Sequence, residues 1–181
     1  EERELFGRLS VFSGGFTLDA AEAVCDAGLD AFQGLLEKSL VRREGERFSM
    51  LETIREFAVE RLEESGEGGE LRHRHAEYFT RLAEATETEH LGPAQAPLRE
   101  QFRTEWDNIR AALSWAVESG ETERGLQLAG ALTIVWLDQN VAVEGEGWFR
   151  TLFESSAPVH DAVRAKALAT ASMVAGVRNH L

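Results

Sequence analysis

Four groups of residues in this chain have types and spacings that could do chemistry: Lys38-Ser39, the pair His73 and His75, the single cysteine Cys25, and the arginines Arg42, Arg43 and Arg47. Lys38-Ser39 has the form of the end of a phosphate-binding loop, whose backbone amides cradle phosphates while the lysine reaches the outer ones. That loop needs glycine before the lysine, and Glu37 stands there; its first glycine would fall at Phe32. The segment also reads as helix into strand, the reverse of the required order, so Lys38 reads as a cation near a helix C-terminus. His73 and His75 could ligate a metal from a strand, but on a helix residues two apart do not share a face. No third ligand stands at a suitable spacing, so no metal is expected, and His75 is expected to pack beside Phe79. Cys25 falls on an apolar stripe beside Asp26, a setting that raises a thiol pKa and marks a structural cysteine. No catalytic residue and no enzymatic activity are expected of this chain.

The arginines gain meaning from the elements that carry them. Leu5, Leu9 and Phe12 lie near helical spacing until Ser13-Gly14-Gly15 breaks the pattern. Thr17 is a suitable N-cap for a second helix with Ala20, Ala21, Val24 and Cys25 as its stripe, closed by Gly28. A third helix over Asp30 to Lys38 would bury Phe32, Leu35 and Leu36. The period then changes: Leu40 to Arg43 and Arg47 to Met50 flank Glu44-Gly45-Glu46 as a β-hairpin. Thr53-Ile54-Arg55-Glu56 has the form of a capping box, opening a helix that runs through Phe57, Ala58 and Leu62. Three short helices, a small hairpin and a further helix make a winged helix over residues 1–65.

Ser65-Gly66-Glu67-Gly68-Gly69 is the best linker candidate. Beyond it residues 66–181 read as helices. One carries Leu71, His75, Phe79, Leu82 and Thr86, and the next Leu98, Phe102, Trp106, Ile109, Leu113 and Val117, with Pro93 and Pro97 between them. Leu126, Ala129, Leu132 and Trp136 mark another, followed by one with Trp148, Phe149, Leu152 and Phe153. The last has Ala162, Ala165, Leu168 and Ser172 as its stripe. The four tryptophans, Trp115 included, are expected in the core. Short connections make these antiparallel hairpins of a TPR-like solenoid, and Gly125 to Gly130 recurs loosely as Lys166 to Ala171. The fold class expected is mainly α.

The 181 residues carry 32 Asp and Glu against 19 Lys and Arg, a formal net charge of −13, which repels nucleic acid and anionic membrane. A winged helix reads DNA with its third helix and braces the backbone with its wing. Here the third helix offers Asp30, Gln33, Glu37 and Lys38, and residues 1–65 hold 8 basic against 15 acidic residues. Only the wing, Arg42, Arg43 and Arg47, is basic; these three are the DNA-contact candidates of the alternative reading, a winged-helix transcription factor with a helical oligomerisation domain. DNA contact by the chain is not expected, nor is a membrane partner. A single cysteine, no membrane-length apolar run and an acidic start without an initiator Met lead to the expectation of an internal piece of a larger cytoplasmic protein. The stop within a helical pattern at Asn179-His180-Leu181 fits a helical array cut short.

At Phe48-Ser49-Met50-Leu51-Glu52-Thr53-Ile54-Arg55-Glu56-Phe57-Ala58 the chain resembles the signal-transduction ATPases with numerous domains (STAND, NB-ARC-like), bacterial relatives of the nucleotide-binding apoptotic and plant resistance proteins. The opening Leu5 to Leu18, Arg74 to Phe79 and Glu105 to Leu113 resemble the same family in actinobacterial transcriptional regulators of the LuxR or antibiotic-regulatory type. The resemblance implies a P-loop ATPase domain preceding a winged helix that acts as its lid, followed by helical repeats that sense an inducer or a protein partner. It implies ATP or ADP for the parent protein and no cofactor within this segment. In that family a Met-His-Asp motif sets its histidine against ADP phosphates; the matching positions are Met50, Leu51 and Glu52, and Leu51 has no donor for a phosphate. Leu51, Glu52 and Arg55 are therefore the candidate residues of a junction facing the nucleotide domain.

Overall fold

The computed structural model describes residues 1–87, 95–137 and 139–179. In chain order the described elements are α1 (Glu2–Arg8), a 3-10 turn (Leu9–Val11), β1 (Phe16–Thr17), α2 (Leu18–Cys25), α3 (Leu29–Glu37), β2 (Arg42–Glu44), β3 (Arg47–Ser49) and α4 (Glu52–Ser65). Then follow α5 (Gly68–Ala85), α6 (Gln95–Thr104), α7 (Trp106–Glu118), α8 (Thr122–Ala131), α9 (Thr133–Trp136), α10 (Gln139–Glu154) and α11 (Asp161–Asn179). The fold is mainly helical with one small antiparallel sheet. It forms two compact units: Glu1–Tyr78 with Glu105–Ala111, and Phe79–Thr104 with the residues from Ala112 onward.

In the first unit the order helix, strand, two helices, hairpin, helix is that expected of a winged helix. The hairpin gains a third strand that periodicity could not reveal, because β1 has only two residues: Phe16 pairs with Phe48 and Thr17 with Arg47, giving the order β1-β3-β2. Strand pairing puts Phe16 and Phe48 side by side, where they meet Phe12 and Phe32 in one aromatic core. Phe12 and Phe16 stack at 4.8 Å between centroids, and Phe32 meets Phe48 edge-on at 4.8 Å. All four rings are buried, each contributing about 2–3 kcal/mol by area.

Several local expectations need correction. Thr17 does cap α2, its hydroxyl accepting from Ala20 N at 3.2 Å. The helix ends at Asp26 in the left-handed conformation (φ 55°), not at Gly28, which instead precedes α3. The Asp26 carboxylate is gripped by both terminal nitrogens of Arg74, at 2.7 and 2.8 Å, which helps hold that backbone conformation. Leu36 is only half-buried. The capping box at Thr53 and Glu56 does not form: α4 starts earlier, with the Leu51 carbonyl accepting from Arg55 N at 2.8 Å and no side-chain cap. The expected linker is a two-residue turn. Gly66 takes φ 75°, α5 starts at Gly68, and Glu67 pairs with Arg8 of α1 at 2.6 and 3.0 Å, so α5 begins inside the first unit.

In the second unit, α8 packs on α10 and α11. Gly130 lets the backbone of α11 approach at Ala167, and Thr170 Oγ1 donates to Gly130 O at 3.1 Å. The recurring segments at 125–130 and 166–171 thus lie on neighbouring helices, in contact. Trp136 is fully buried, its indole donating to Ala129 O at 2.8 Å, whereas Trp106, Trp115 and Trp148 are half-buried. The expected stripe of α11 is out of phase: Ala162, Ala165, Leu168 and Ser172 are exposed, while Ala167, Thr170 and Val174 are buried. An alanine-rich helix carries little hydrophobic contrast from which to read its phase. The helix expected across Leu126 to Trp136 is divided at Leu132, and that across Leu98 to Val117 at Glu105. Pro97 sits in the first turn of α6, where a missing amide hydrogen costs nothing, and Pro93 lies outside the described residues.

Two glycines of α10 should respond oppositely to substitution. A Cβ on Gly145 would lie 2.7 Å from the Trp136 ring, whereas Gly147 faces open space. Gly145→Ala is expected to destabilise by about 1–3 kcal/mol through overpacking, and Gly147→Ala to stabilise by up to about 1 kcal/mol through helix propensity. Thermal denaturation of the two variants checks the opposite signs; equal shifts would refute the packing argument.

Candidate functional site

The junction residues lie together at the start of α4. Leu51 is the extended residue just before the helix and is 43% exposed; Glu52 opens the helix, and Arg55 follows one turn on. Glu52 and Arg55 form a two-point ion pair, Nε to Oε2 at 3.2 Å and the terminal nitrogen to Oε1 at 2.8 Å. The Arg55 hydrogen bond holds the Glu52 carboxyl below its ordinary range, and the same bond raises Arg55. Arg55 therefore arrives at the surface already neutralised, and Leu51 has no polar hydrogen to offer. These residues do not fit the phosphate contact that the motif resemblance implies; what they present is an apolar side chain beside a compensated ion pair. Farther along α4, Phe57 is 53% exposed, with the Arg61 guanidinium 5.0 Å from its ring centroid. The helical pattern placed Phe57 in α4 but gave no sign of its exposure.

The wing arginines have separate fates. Arg42 and Arg43 are exposed on β2, and Arg43 folds back, donating to Gly45 O at 2.8 Å. Arg47, on β3, is half-buried and forms an ion pair with the buried carboxylate of Glu105. Lys38 is likewise occupied by Glu2, and Gln33 donates to Glu37 at 2.9 Å, so much of the polar surface of α3 is internally paired.

Glu105 belongs to the most organised polar cluster of the first unit. Asn108, with no exposed surface, uses every hydrogen-bonding position it has. Its Nδ2 donates to Gly15 O at 2.8 Å and to Glu105 Oε2 at 2.8 Å; its Oδ1 accepts from Ser13 N at 2.7 Å and lies 3.3 Å from His75 Nε2. Because Oδ1 can only accept, His75 Nε2 carries the hydrogen. The clasp fixes the Ser13-Gly14-Gly15 turn. Both glycines have positive φ (76° and 101°), and a Cβ on Gly15 would lie 2.9 Å from Phe48 O. His75 is fully buried and meets the edge of Phe12, its ring centroid 5.4 Å away. Burial pushes its pKa down to about 4 against a smaller opposing effect of Asn108. Sequence reasoning overlooked this cluster, although one signal was present: Glu105 stands four residues before Ile109 and seven after Leu98, in the middle of an apolar stripe.

Cys25 is buried, and desolvation pushes its thiol up to about 12, which keeps it protonated and unreactive near neutrality. Among the described residues no group of three or more His, Cys, Asp or Glu is placed to hold a metal ion, and no helix is long and apolar enough to cross a membrane. A cleft of about 250 Å³ between α1 and the end of α4 is lined by Arg3, Arg8 and Arg61 and by Glu4, Glu64 and Glu67, equal numbers of each sign.

No protein-family description and no solved structure matches the chain. Among curated proteins it is 37% identical, over 188 aligned positions, to "Putative HTH-type transcriptional regulator Rv0890c" of Mycobacterium tuberculosis and to the similarly named Mb0914c of Mycobacterium bovis. Those alignments cover 96% of this chain and 21% of each relative, so the chain spans about a fifth of the length of the curated relatives it matches. A shorter match, 40% identical over 79 positions, joins 36% of the chain to 20% of the uncharacterized protein Rv0894 of Mycobacterium tuberculosis.

Proposed function

We propose that this chain is a noncatalytic regulatory segment of a cytoplasmic, ATP-dependent bacterial transcriptional regulator of the STAND type. The first unit acts as a lid on a nucleotide-binding domain, and the helical region beyond it, which we read as TPR-like, offers a sensing surface to an inducer or protein partner. The observation that carries this reading is the similarity along 96% of the chain to a fifth of proteins named as HTH-type transcriptional regulators. That share leaves room for DNA-reading and nucleotide-binding parts in such proteins. The acidic first unit, with Arg47 engaged internally, favours a protein surface over DNA. A lid works by differential affinity: contacts made only in the closed state shift the population toward it, and a signal on the helices shifts it back.

In the parent regulator, Leu51→Ala combined with Glu52→Ala is expected to speed ADP release about tenfold, the effect of losing about 1.4 kcal/mol of closed-state contact. Stopped-flow release of a fluorescent ADP analogue measures it, and an unchanged rate would sink the lid. Titration of this chain with duplex DNA supplies the complementary check. Binding that falls steeply with salt would favour the winged-helix transcription factor instead, with Arg42 and Arg43 as contacts.

A further inference from the structure

We propose that Glu105 is the catch of a conformational joint: Arg47 and Asn108 hold open a break between α6 and α7 in a segment whose sequence is that of one continuous helix. Residues 98–118 contain neither glycine nor proline, the usual causes of a helix break. The buried residues Leu98, Phe102, Ile109, Leu113 and Ala116 keep a single helical phase across it. α6 nevertheless ends at Thr104, whose hydroxyl bonds back to Glu100 O at 2.9 Å, and the helical ladder resumes with Ile109 N donating to Glu105 O at 2.9 Å. A continuous helix would leave the Glu105 carboxylate in the middle of its apolar stripe. At the break that carboxylate instead meets the Arg47 guanidinium from β3 and the Asn108 amide.

The catch is supplied by the hairpin, 58 residues away in sequence. Arg47 is paired across the sheet with Thr17 of β1 and Glu44 of β2, so the position of the hairpin and the state of the joint are linked. An event that draws Arg47 away, such as an anionic group competing for its guanidinium, removes the constraint and leaves the segment to its own helical preference. The inference is independent of the function proposed above.

Spin labels on Arg99→Cys and Glu118→Cys, both exposed positions, read the joint by electron–electron distance measurement in the full chain; buried Cys25 stays unlabelled. A continuous helix separates these Cα atoms by about 28 Å. The otherwise unchanged chain is expected to give a shorter distance, Glu105→Leu to lengthen it toward the straight-helix value, and Arg47→Gln to move part of the population the same way. A straight-helix distance before either change, or no lengthening in either variant, overturns the proposal. If Glu105→Leu loses its helical circular dichroism, Arg47→Gln decides alone by the same two outcomes.

Discussion

Asn108→Ala is expected to destabilise the first unit by about 3–4 kcal/mol, the size of effect that follows when one residue leaves several buried groups unpaired. The substitution removes the acceptor for Ser13 N and His75 Nε2 and the donor to Gly15 O and Glu105 Oε2. Water cannot readily replace them, because Asn108 is fully buried and Glu105 is only 7% exposed. Asn108→Asp should be at least as damaging. It loses both donors and sets a second carboxylate against Glu105. The control is Gln33→Ala, which removes only the exposed bond to Glu37 and should change stability by less than about 0.5 kcal/mol. Urea denaturation of the three variants checks the order. A loss under about 1 kcal/mol for Asn108→Ala would mean that the Ser13-Gly14-Gly15 turn holds without its clasp.

The same residues show what the sequence could and could not reveal. Helices α2, α3 and α5 were legible because their apolar residues repeat at three and four and good caps or breakers bound them; Thr17 and Gly66 do what their types suggest. The hairpin was legible from its change of period around Gly45. What was not legible depends on partners far away in the chain. β1 is too short to show a pattern and exists because Phe48 and Arg47 offer it a neighbour. The break at Glu105 runs against helical preference and is held by residues 58 and 3 positions away. The candidate site was partly legible: Leu51 and Glu52 are exposed beside half-buried Arg55, but the ion pair that neutralises Arg55 appears only in three dimensions. The wing was misread in one respect, since pattern alone counted Arg47 with Arg42 and Arg43. The ion pair with Glu105 draws it into the protein.

Acidification should weaken the protein through His75 before the low-lying carboxyls of Asp26, Glu67 and Glu52 titrate. The folded pKa is about 4, below the ordinary 6.5, because the ring is buried and its charged form desolvated. As pH falls from 6.5 toward 4, the unfolded chain takes up a proton at this ring that the folded chain does not. Stability therefore falls across that window and is fully present above it. The difference between the two pKa values amounts to about 3 kcal/mol lost between pH 7 and pH 4. The carboxyls of Asp26, Glu67 and Glu52 are held low by hydrogen bonds from Arg74, Arg8 and Arg55, so their contribution is lost only at lower pH, as each is protonated in the folded state. The two effects separate along the pH axis. Unfolding free energies measured from pH 7 to pH 4.5 should slope downward toward acid in the unaltered chain and much less in His75→Gln, which cannot titrate but keeps a donor for Asn108 Oδ1. Equal slopes would show that His75 takes its proton without cost, which the enclosure of the ring by Phe12 and Asn108 argues against: a second charged N–H there would have to be accommodated without water.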